Sequence, residues 1–216
     1  MIAPSDQRDR PIGRTLGDEP VVQFSESPAP PRADARRNRE AVLEAAVRLL
    51  GERPDASMQE VADASGVGRT TVYRHFPNRE ALVKGLFMRV VNESLAMSWR
   101  LVEQDPPADE LYRRMGREAL EITYRYRFLR AHNELLEPAL EEAGVGLPND
   151  PMMDYLERAQ ERGELRADMP TRWLFLVAHA VITQAVDQAA DGDLDVGRAG
   201  ELAGETLVAA FVIPKD

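Results

Sequence analysis

The chain has 216 residues, no cysteine and a formal net charge of −10 at pH 7. This length is sufficient for one large or two small domains, and the lack of cysteine excludes disulfides and thiolate metal sites. No apolar run approaches the roughly 20 residues needed to span a bilayer, and the start of the chain lacks the apolar centre of a secretory signal. We therefore expect no membrane span and a cytoplasmic location.

Residues 1–32 contain six prolines and show no sustained hydrophobic periodicity. Such a segment cannot bury enough apolar surface to offset the entropy of ordering it. We predict a disordered tail over 1–32.

The first strong helical pattern runs from Val42 to Leu50 and ends before Pro54. Its apolar residues recur at three- and four-residue spacing, which places them in one stripe on a helix. This helix is expected to support the two short ones that come after it.

Two short helical patterns come next, joined at a single glycine. Ser57, with Glu60 three residues later, forms a capping box, which predicts the start of a helix. Gly66 lies where that helix must end in a left-handed residue, a conformation glycine adopts without steric penalty. Val72 in the second helix should face back toward Val61 in the first. Two short helices joined at such a corner form a helix-turn-helix.

The second helix of the pair carries polar side chains that the core does not need. A helix with hydrogen-bonding groups at its amino-terminal end is suited to the major groove of DNA, where side chains reach base edges and phosphates. The residues left facing outward are Arg69, Thr70, Thr71, Tyr73, Arg74 and His75.

This part of the sequence resembles the amino-terminal domain of TetR-type (tetracycline-repressor-like) transcriptional regulators. The resemblance covers about 36–86 and rests on AVLEAAVRLL and on EVADASGVGRTTVYRHFPNREAL, in which Tyr73, His75 and Phe76 occupy the family's Y-x-H-F positions. Two positions differ from the family pattern: Gly68 replaces the common capping serine, and Arg79 replaces the common lysine. The resemblance implies a ligand-responsive repressor that binds a palindromic DNA operator as a homodimer.

The expected DNA contacts combine this resemblance with the charge distribution. Residues 32–84 contain ten basic and eight acidic residues, whereas residues 85–216 contain fourteen basic and twenty-four acidic ones. The acidity therefore lies in the carboxy-terminal part, away from the predicted DNA-binding face. We predict that the DNA-binding residues are Arg36, Arg37, Arg69, Thr70, Thr71, Tyr73, Arg74, His75, Arg79 and Lys84.

Helical periods continue from Asn78 to the end of the chain, with no strand alternation. The predicted fold is all-α: a three-helix helix-turn-helix domain at 33–80 joined to a larger helical ligand-binding and dimerisation domain at 81–216. The helices near 170–187 and 196–212 carry apolar groups on more than one face, so both faces must be covered. In TetR-type proteins two such helices per subunit form a four-helix dimer interface; the alternative is that they fill the core of a monomer.

If the resemblance extends to the middle of the chain, that region should hold a cavity for an unknown small-molecule effector. Methionine adapts to irregular shapes and tyrosine offers a polar group, both useful in a pocket, although the same residues also fill ordinary cores. The candidate ligand-binding residues are Phe87, Trp99, Tyr112, Met115, Tyr126, Phe128, Met153 and Trp173. A bound effector would shift the fourth helix and change the spacing between the two DNA-binding units.

Two other classes of function are alternatives to this reading. An all-helical enzyme finds little support, because His75, His132 and His179 are widely separated and no metal-binding or phosphate-loop motif is complete. No cofactor, metal or catalytic residue is therefore predicted. The second alternative is a DNA-binding architectural protein without ligand control.

Overall fold

The computed structural model describes residues 32–143 and 150–214, and within them it is helical apart from turns and one isolated bridge between Leu165 and Val212. The predicted tail lies outside these residues except for Arg32. The helices are α1 Arg32–Glu52, α2 Met58–Ser65, α3 Arg69–His75, α4 Arg79–Glu103, α5 Ala108–Arg125, a 3-10 segment Arg127–Leu135, α6 Leu136–Ala143, α7 Pro151–Glu161, α8 Thr171–Ala190 and α9 Val196–Phe211. This confirms the all-α prediction. None of the described helices is long and apolar enough to cross a bilayer.

A first core cluster unites the helix-turn-helix with residues from later helices. The apolar stripe of α1 packs on Val61, Val72 and Phe76 and on the first half of α4. Tyr126, Phe128 and Leu129, which begin the 3-10 segment or immediately precede it, enter the same cluster. The core of the predicted DNA-binding domain therefore includes side chains from well beyond residue 80.

A second core cluster lies among the last part of α4 and helices α5, α7, α8 and α9. Its buried members include Met97 and Leu101 from α4, Tyr112 from α5 and Leu207 from α9. Helix α4 thus contributes its residues up to Met88 to the first cluster and those from Met97 to the second. Because one continuous helix spans both cores, movement of either end of α4 must disturb the packing of the other.

Helices α5 and α9 cross at three glycines. A Cβ atom placed on Gly116 would lie 2.5 Å from the backbone nitrogen of Gly204 and 2.6 Å from the carbonyl oxygen of Gly200. A Cβ on Gly204 would approach the Cα of Arg113 to 2.9 Å. These distances leave no space for a side chain, so the backbones of the two helices touch directly.

We predict that Gly116→Ala lowers the free energy of unfolding by about 2 kcal/mol or more, because the new methyl group must push two helix backbones apart. The measurement is urea denaturation at one fixed protein concentration. Gly51→Ala is the control, since nothing lies within 4 Å of a Cβ at that helical position. It should leave stability unchanged or raise it by up to about 1 kcal/mol. Equal effects of the two substitutions would contradict the close crossing of α5 and α9.

Candidate nucleic-acid interface and ligand-binding core

The corner between α2 and α3 is built as the sequence predicts. The Ser57 N–H donates to the Glu60 carboxylate at 2.8 Å, and the Glu60 N–H donates to the Ser57 hydroxyl at 3.2 Å. Hydrogen bonds from the Ser57 backbone and hydroxyl, with Arg53 nearby, lower the pKa of Glu60 to about 2. Gly66 ends α2 in the left-handed region, at φ 68°. The capping box therefore remains ionised and intact until strongly acidic pH.

Two apolar side chains hold α3 against the first core cluster. Val72 and Phe76, four residues apart, are buried on one face of the helix. The opposite face carries Arg69, Thr70 and Arg74, which are all exposed, and Tyr73, which is 43% exposed. Thr71 and His75 are half-buried at its edges. The polar face of α3 is therefore displayed to solvent and not enclosed by the described part of the chain.

Several predicted phosphate-binding cations are paired with carboxylates in the DNA-free protein. Arg37 contacts Asp34 one turn earlier in α1, and the Lys84 Nζ lies 3.3 Å from Glu80 in α4. Such exposed pairs contribute only about 0–1 kcal/mol each, so phosphate can displace the carboxylate. Arg36 is exposed on α1. These side chains can therefore turn toward DNA without much loss of stability.

Arg79 is placed differently from the other cations. Its Nη1 donates to the carbonyl oxygen of Ala56 at 2.6 Å, and its Nη2 donates to the carbonyl of Pro54. Both acceptors belong to the loop that joins α1 and α2. The guanidinium at the first residue of α4 thus ties this loop to the start of α4, a structural role that the sequence did not predict.

Family comparison agrees with this geometry. Residues 42–86 match the family model described as bacterial regulatory proteins, tetR family. The chain is also 28% identical over 166 residues to the HTH-type transcriptional repressor LfrR of Mycolicibacterium smegmatis, covering 77% of this chain and 86% of LfrR. Residues 42–86 are thus similar to a domain of the tetR family of bacterial regulatory proteins. The matched family consists of regulatory proteins and LfrR is named a transcriptional repressor, which favours a DNA-binding regulator over an enzyme.

Further comparisons agree with this similarity and with the fold. The HTH-type transcriptional regulator EthR of Mycobacterium tuberculosis is 35% identical over 86 residues, which is 39% of each chain. The crystal structure of LfrR in complex with proflavine superposes with a TM-score of 0.63 at 24% identity, covering 83% of this chain and 99% of that one. A SmeT–triclosan complex gives a TM-score of 0.60 at 23% identity, with 82% of this chain and 92% of that chain covered.

The predicted ligand-binding residues are distributed over the two core clusters and the surface. Phe87, Tyr126 and Phe128 belong to the first core cluster, with the helix-turn-helix, whereas Tyr112 and Met115 belong to the second. Met153 is half-buried on α7. The two tryptophans lie at the surface, Trp99 being 49% exposed and Trp173 55% exposed. Helical periodicity identifies apolar positions, but it does not show which of the two core clusters each side chain enters.

Two tyrosines in the second core cluster differ in hydrogen bonding. The Tyr155 hydroxyl donates to the carbonyl of Pro106 at 2.8 Å. The Tyr112 residue is only 1% exposed, and its buried hydroxyl has no hydrogen-bond partner among the described residues. Burial raises the pKa of Tyr112, so the phenol stays protonated and remains available to donate. Three methionines, Met97, Met115 and Met152, are buried in the same cluster.

The outer sides of α8 and α9 carry exposed apolar side chains. Leu176 of α8 is 42% exposed and Leu202 of α9 is 38% exposed, and Trp173 lies one turn before Leu176. Ala180 and Ala210 are exposed further along the same two helices. The two helices pack on each other, and their inner sides fill the second core cluster. These helices therefore bury one side within the protomer and leave the other uncovered.

Two surface depressions flank these cores. One of about 380 Å³ lies between α1 and α4, and one of about 710 Å³ lies beside the ends of α7 and α9. Neither is lined by any of the predicted ligand-binding residues. No group of three potential metal-ligating side chains occurs within the residues that the structure describes.

Sequence reasoning missed two polar contacts. Asp63 of α2 binds the guanidinium of Arg69. Arg127 of the 3-10 segment donates from Nη2 to the carbonyl of Gly51, near the end of α1, at 2.8 Å. An acidic residue in the helix just before the predicted DNA-binding helix is a signal that would have drawn attention to Asp63. No local pattern reveals the contact of Arg127, because 76 residues separate the partners.

We predict that Arg79→Ala lowers the free energy of unfolding by about 1–3 kcal/mol, because it removes two charge-assisted hydrogen bonds to the α1–α2 loop. Urea denaturation measures this change. Arg36→Ala is the control, an exposed arginine whose loss should change stability by less than about 0.5 kcal/mol. If Arg79→Ala left stability unchanged and only reduced the salt dependence of DNA binding, the side chain would be a simple phosphate contact.

Proposed function

We propose that the protein is a homodimeric repressor that binds a palindromic operator and releases it when a small molecule binds the second core cluster. The observation that carries this proposal is the outward display of α3, with Val72 and Phe76 buried behind it. Base contacts would come from Arg69, Thr70, Thr71 and Tyr73. Phosphate contacts would come from Arg36, Arg37, Tyr73, Arg74, His75 and Lys84, and Arg79 would act mainly through the loop it holds.

The partner that covers the outer sides of α8 and α9 is a second copy of the chain. A helix that is apolar on opposite sides requires cover on both, and the protomer covers only one. The similarity to a family whose regulators typically act as dimers supports this choice. Trp173 thus fits the dimer interface better than a ligand cavity. A two-fold axis between the copies would present two α3 helices about 34 Å apart, one turn of DNA.

The effector site is proposed to form around Tyr112. A buried hydroxyl without a partner is unfavourable, and a ligand with one hydrogen-bond acceptor would satisfy it. The surrounding methionines can change rotamer and make room for an apolar ligand. Two solved relatives are complexes with small molecules, proflavine in LfrR and triclosan in SmeT, which supports control by a small molecule. We expect an effector that is mostly apolar and carries one polar acceptor.

Helix α4 would carry the effect of such a ligand to the DNA-binding end. It contributes Met97 and Leu101 to the second cluster and Leu82 and Leu86 to the first. An effector acts only if it binds the DNA-free conformation more tightly than the operator-bound one. An effector that binds with equal affinity in the presence and absence of operator would contradict this route.

Selection of bound sequences from random duplex DNA tests the proposed function directly. We expect a palindrome whose half-site centres are about 10 base pairs apart or a multiple of that spacing. The double variant Leu176→Asp/Leu202→Asp places charges in the proposed interface and should sediment as a monomer at micromolar concentration. Its affinity for the full operator should fall by about 100-fold or more, because the second half-site no longer binds intramolecularly.

Trp99→Asp is the control, since it also places an aspartate at an exposed apolar position, on α4, although it adds one negative charge per subunit and not two. It should leave both the dimer and operator affinity unchanged. Selection of a single, asymmetric half-site by a monomeric wild-type protein would contradict the proposed symmetry.

A pair of tyrosine substitutions tests the effector site. We predict that Tyr112→Phe raises the free energy of unfolding by about 1 kcal/mol, because it removes a buried hydroxyl that lacks a partner. Tyr155→Phe should lower it by about 1 kcal/mol, because the same change deletes a hydrogen bond to Pro106. Urea denaturation at equal protein concentration measures both. Destabilisation of similar size by both substitutions would show that the Tyr112 hydroxyl is already satisfied.

A further inference from the structure

Asp63 and Arg69 form a two-pronged contact between α2 and the first residue of α3. The Nε and Nη2 atoms of Arg69 donate to the Asp63 Oδ1 at 3.2 and 3.0 Å, and Nη2 also lies 3.2 Å from Oδ2. Both side chains are more than half exposed. An exposed pair of this kind adds little to folding stability. Its main effect is therefore on the position of the Arg69 guanidinium.

The contact engages one edge of the guanidinium and leaves another available. Asp63 occupies the side formed by Nε and Nη2, and Nη1 donates no hydrogen bond within the described residues. The end formed by Nη1 and Nη2 therefore points away from the carboxylate. This end is the fork that binds the O6 and N7 atoms of guanine in the major groove.

The negative charge of Asp63 would by itself weaken binding to DNA. A carboxylate next to the DNA-binding face repels phosphate, and it therefore weakens binding to every sequence. Such a charge is useful if it restricts a neighbouring arginine, whose flexible side chain could otherwise reach either a base or a phosphate. An arginine already held at one edge loses less rotamer freedom when it binds a base.

We infer that Asp63 is a specificity-determining residue: it positions Arg69 to read a guanine in each half-site and keeps its guanidinium from binding the phosphate backbone. Arg69 makes the base contact, and Asp63 acts through it. The inference rests on the proposed operator recognition by α3, and it adds the base that is read and the residue that enforces the choice.

The test measures affinity for the selected operator and for each of its single-base-pair variants. For the wild type, replacing the G·C pair in one half-site should lower affinity by about tenfold, as for other bidentate arginine–guanine contacts. Asp63→Asn and Asp63→Ala should lose most of this preference while binding random DNA more tightly. The salt dependence of their binding should become steeper by about one counterion per subunit, because the released Arg69 reaches phosphate.

Arg69→Ala should lose the same preference, and combining it with Asp63→Ala should cause no further loss at that base pair. Replacing the guanine with 7-deazaguanine, which lacks the N7 acceptor, should weaken the wild type severalfold and leave Arg69→Ala unaffected. Thermal unfolding followed by circular dichroism should show that the variants fold as the wild type does.

Asp55→Asn provides the charge-matched control. Asp55 is exposed in the α1–α2 loop and does not contact Arg69, so its loss changes net charge equally. It should alter affinity for all sequences alike and leave base preference unchanged. If Asp63→Asn behaves in the same way as Asp55→Asn, the inference is wrong, although the proposed operator still stands. If the wild type selects no preferred sequence, both this inference and the proposed operator recognition fail.

Discussion

The burial of Val72 and Phe76 is the interaction on which the proposed DNA-binding surface depends. Helix α3 has seven residues, and helices much shorter than a dozen residues are not stable on their own in water. Its N-cap is Gly68, whose missing side chain supplies no capping hydrogen bond. The conformation of α3 is therefore imposed by its two buried side chains and by the corner at Gly66. Everything displayed on the opposite face depends on this anchoring.

The first core cluster joins the DNA-binding unit to the rest of the protein more closely than a division at residue 80 suggests. Tyr126 and Phe128 pack with α1 and α4, and Arg127 binds the carbonyl of Gly51 between them. Near the middle of α1, Glu40 lies 2.9 Å from Arg89 of α4, and Arg89 in turn pairs with Glu93. Helix α1 is thus held at its middle and near its carboxy-terminal end by residues that belong to the larger part of the chain. The orientation of the helices proposed to bind DNA depends on these contacts as well as on their own sequence.

In the larger, carboxy-terminal part of the chain, the close crossing of α5 and α9 determines which side of α9 faces outward. The direct backbone contact at Gly116 and Gly204 buries the side of α9 that carries small residues against α5, inside the protomer. Leu202 therefore lies on the outer side, together with Leu176 of α8. The proposed two-fold dimer needs such a side, and it also needs a rigid support behind it. The α5–α9 crossing provides that support.

The sequence alone determined the elements that depend on local chemistry. Ser57 with Glu60, Gly66 and the spacing of apolar residues placed the helices and the outward side of α3, because caps, turns and helical periodicity act over a few residues. Tertiary structure decided what depends on distant partners: the separation of Tyr126 and Phe128 from Tyr112, the use of Arg79 to hold a loop, and the surface location of Trp99 and Trp173. Periodicity shows that a side chain is apolar on one side of a helix, but not which helix covers that side. Asp63 meets Arg69 only because the corner at Gly66 folds α3 back beside α2, so the meaning of that carboxylate became visible in three dimensions.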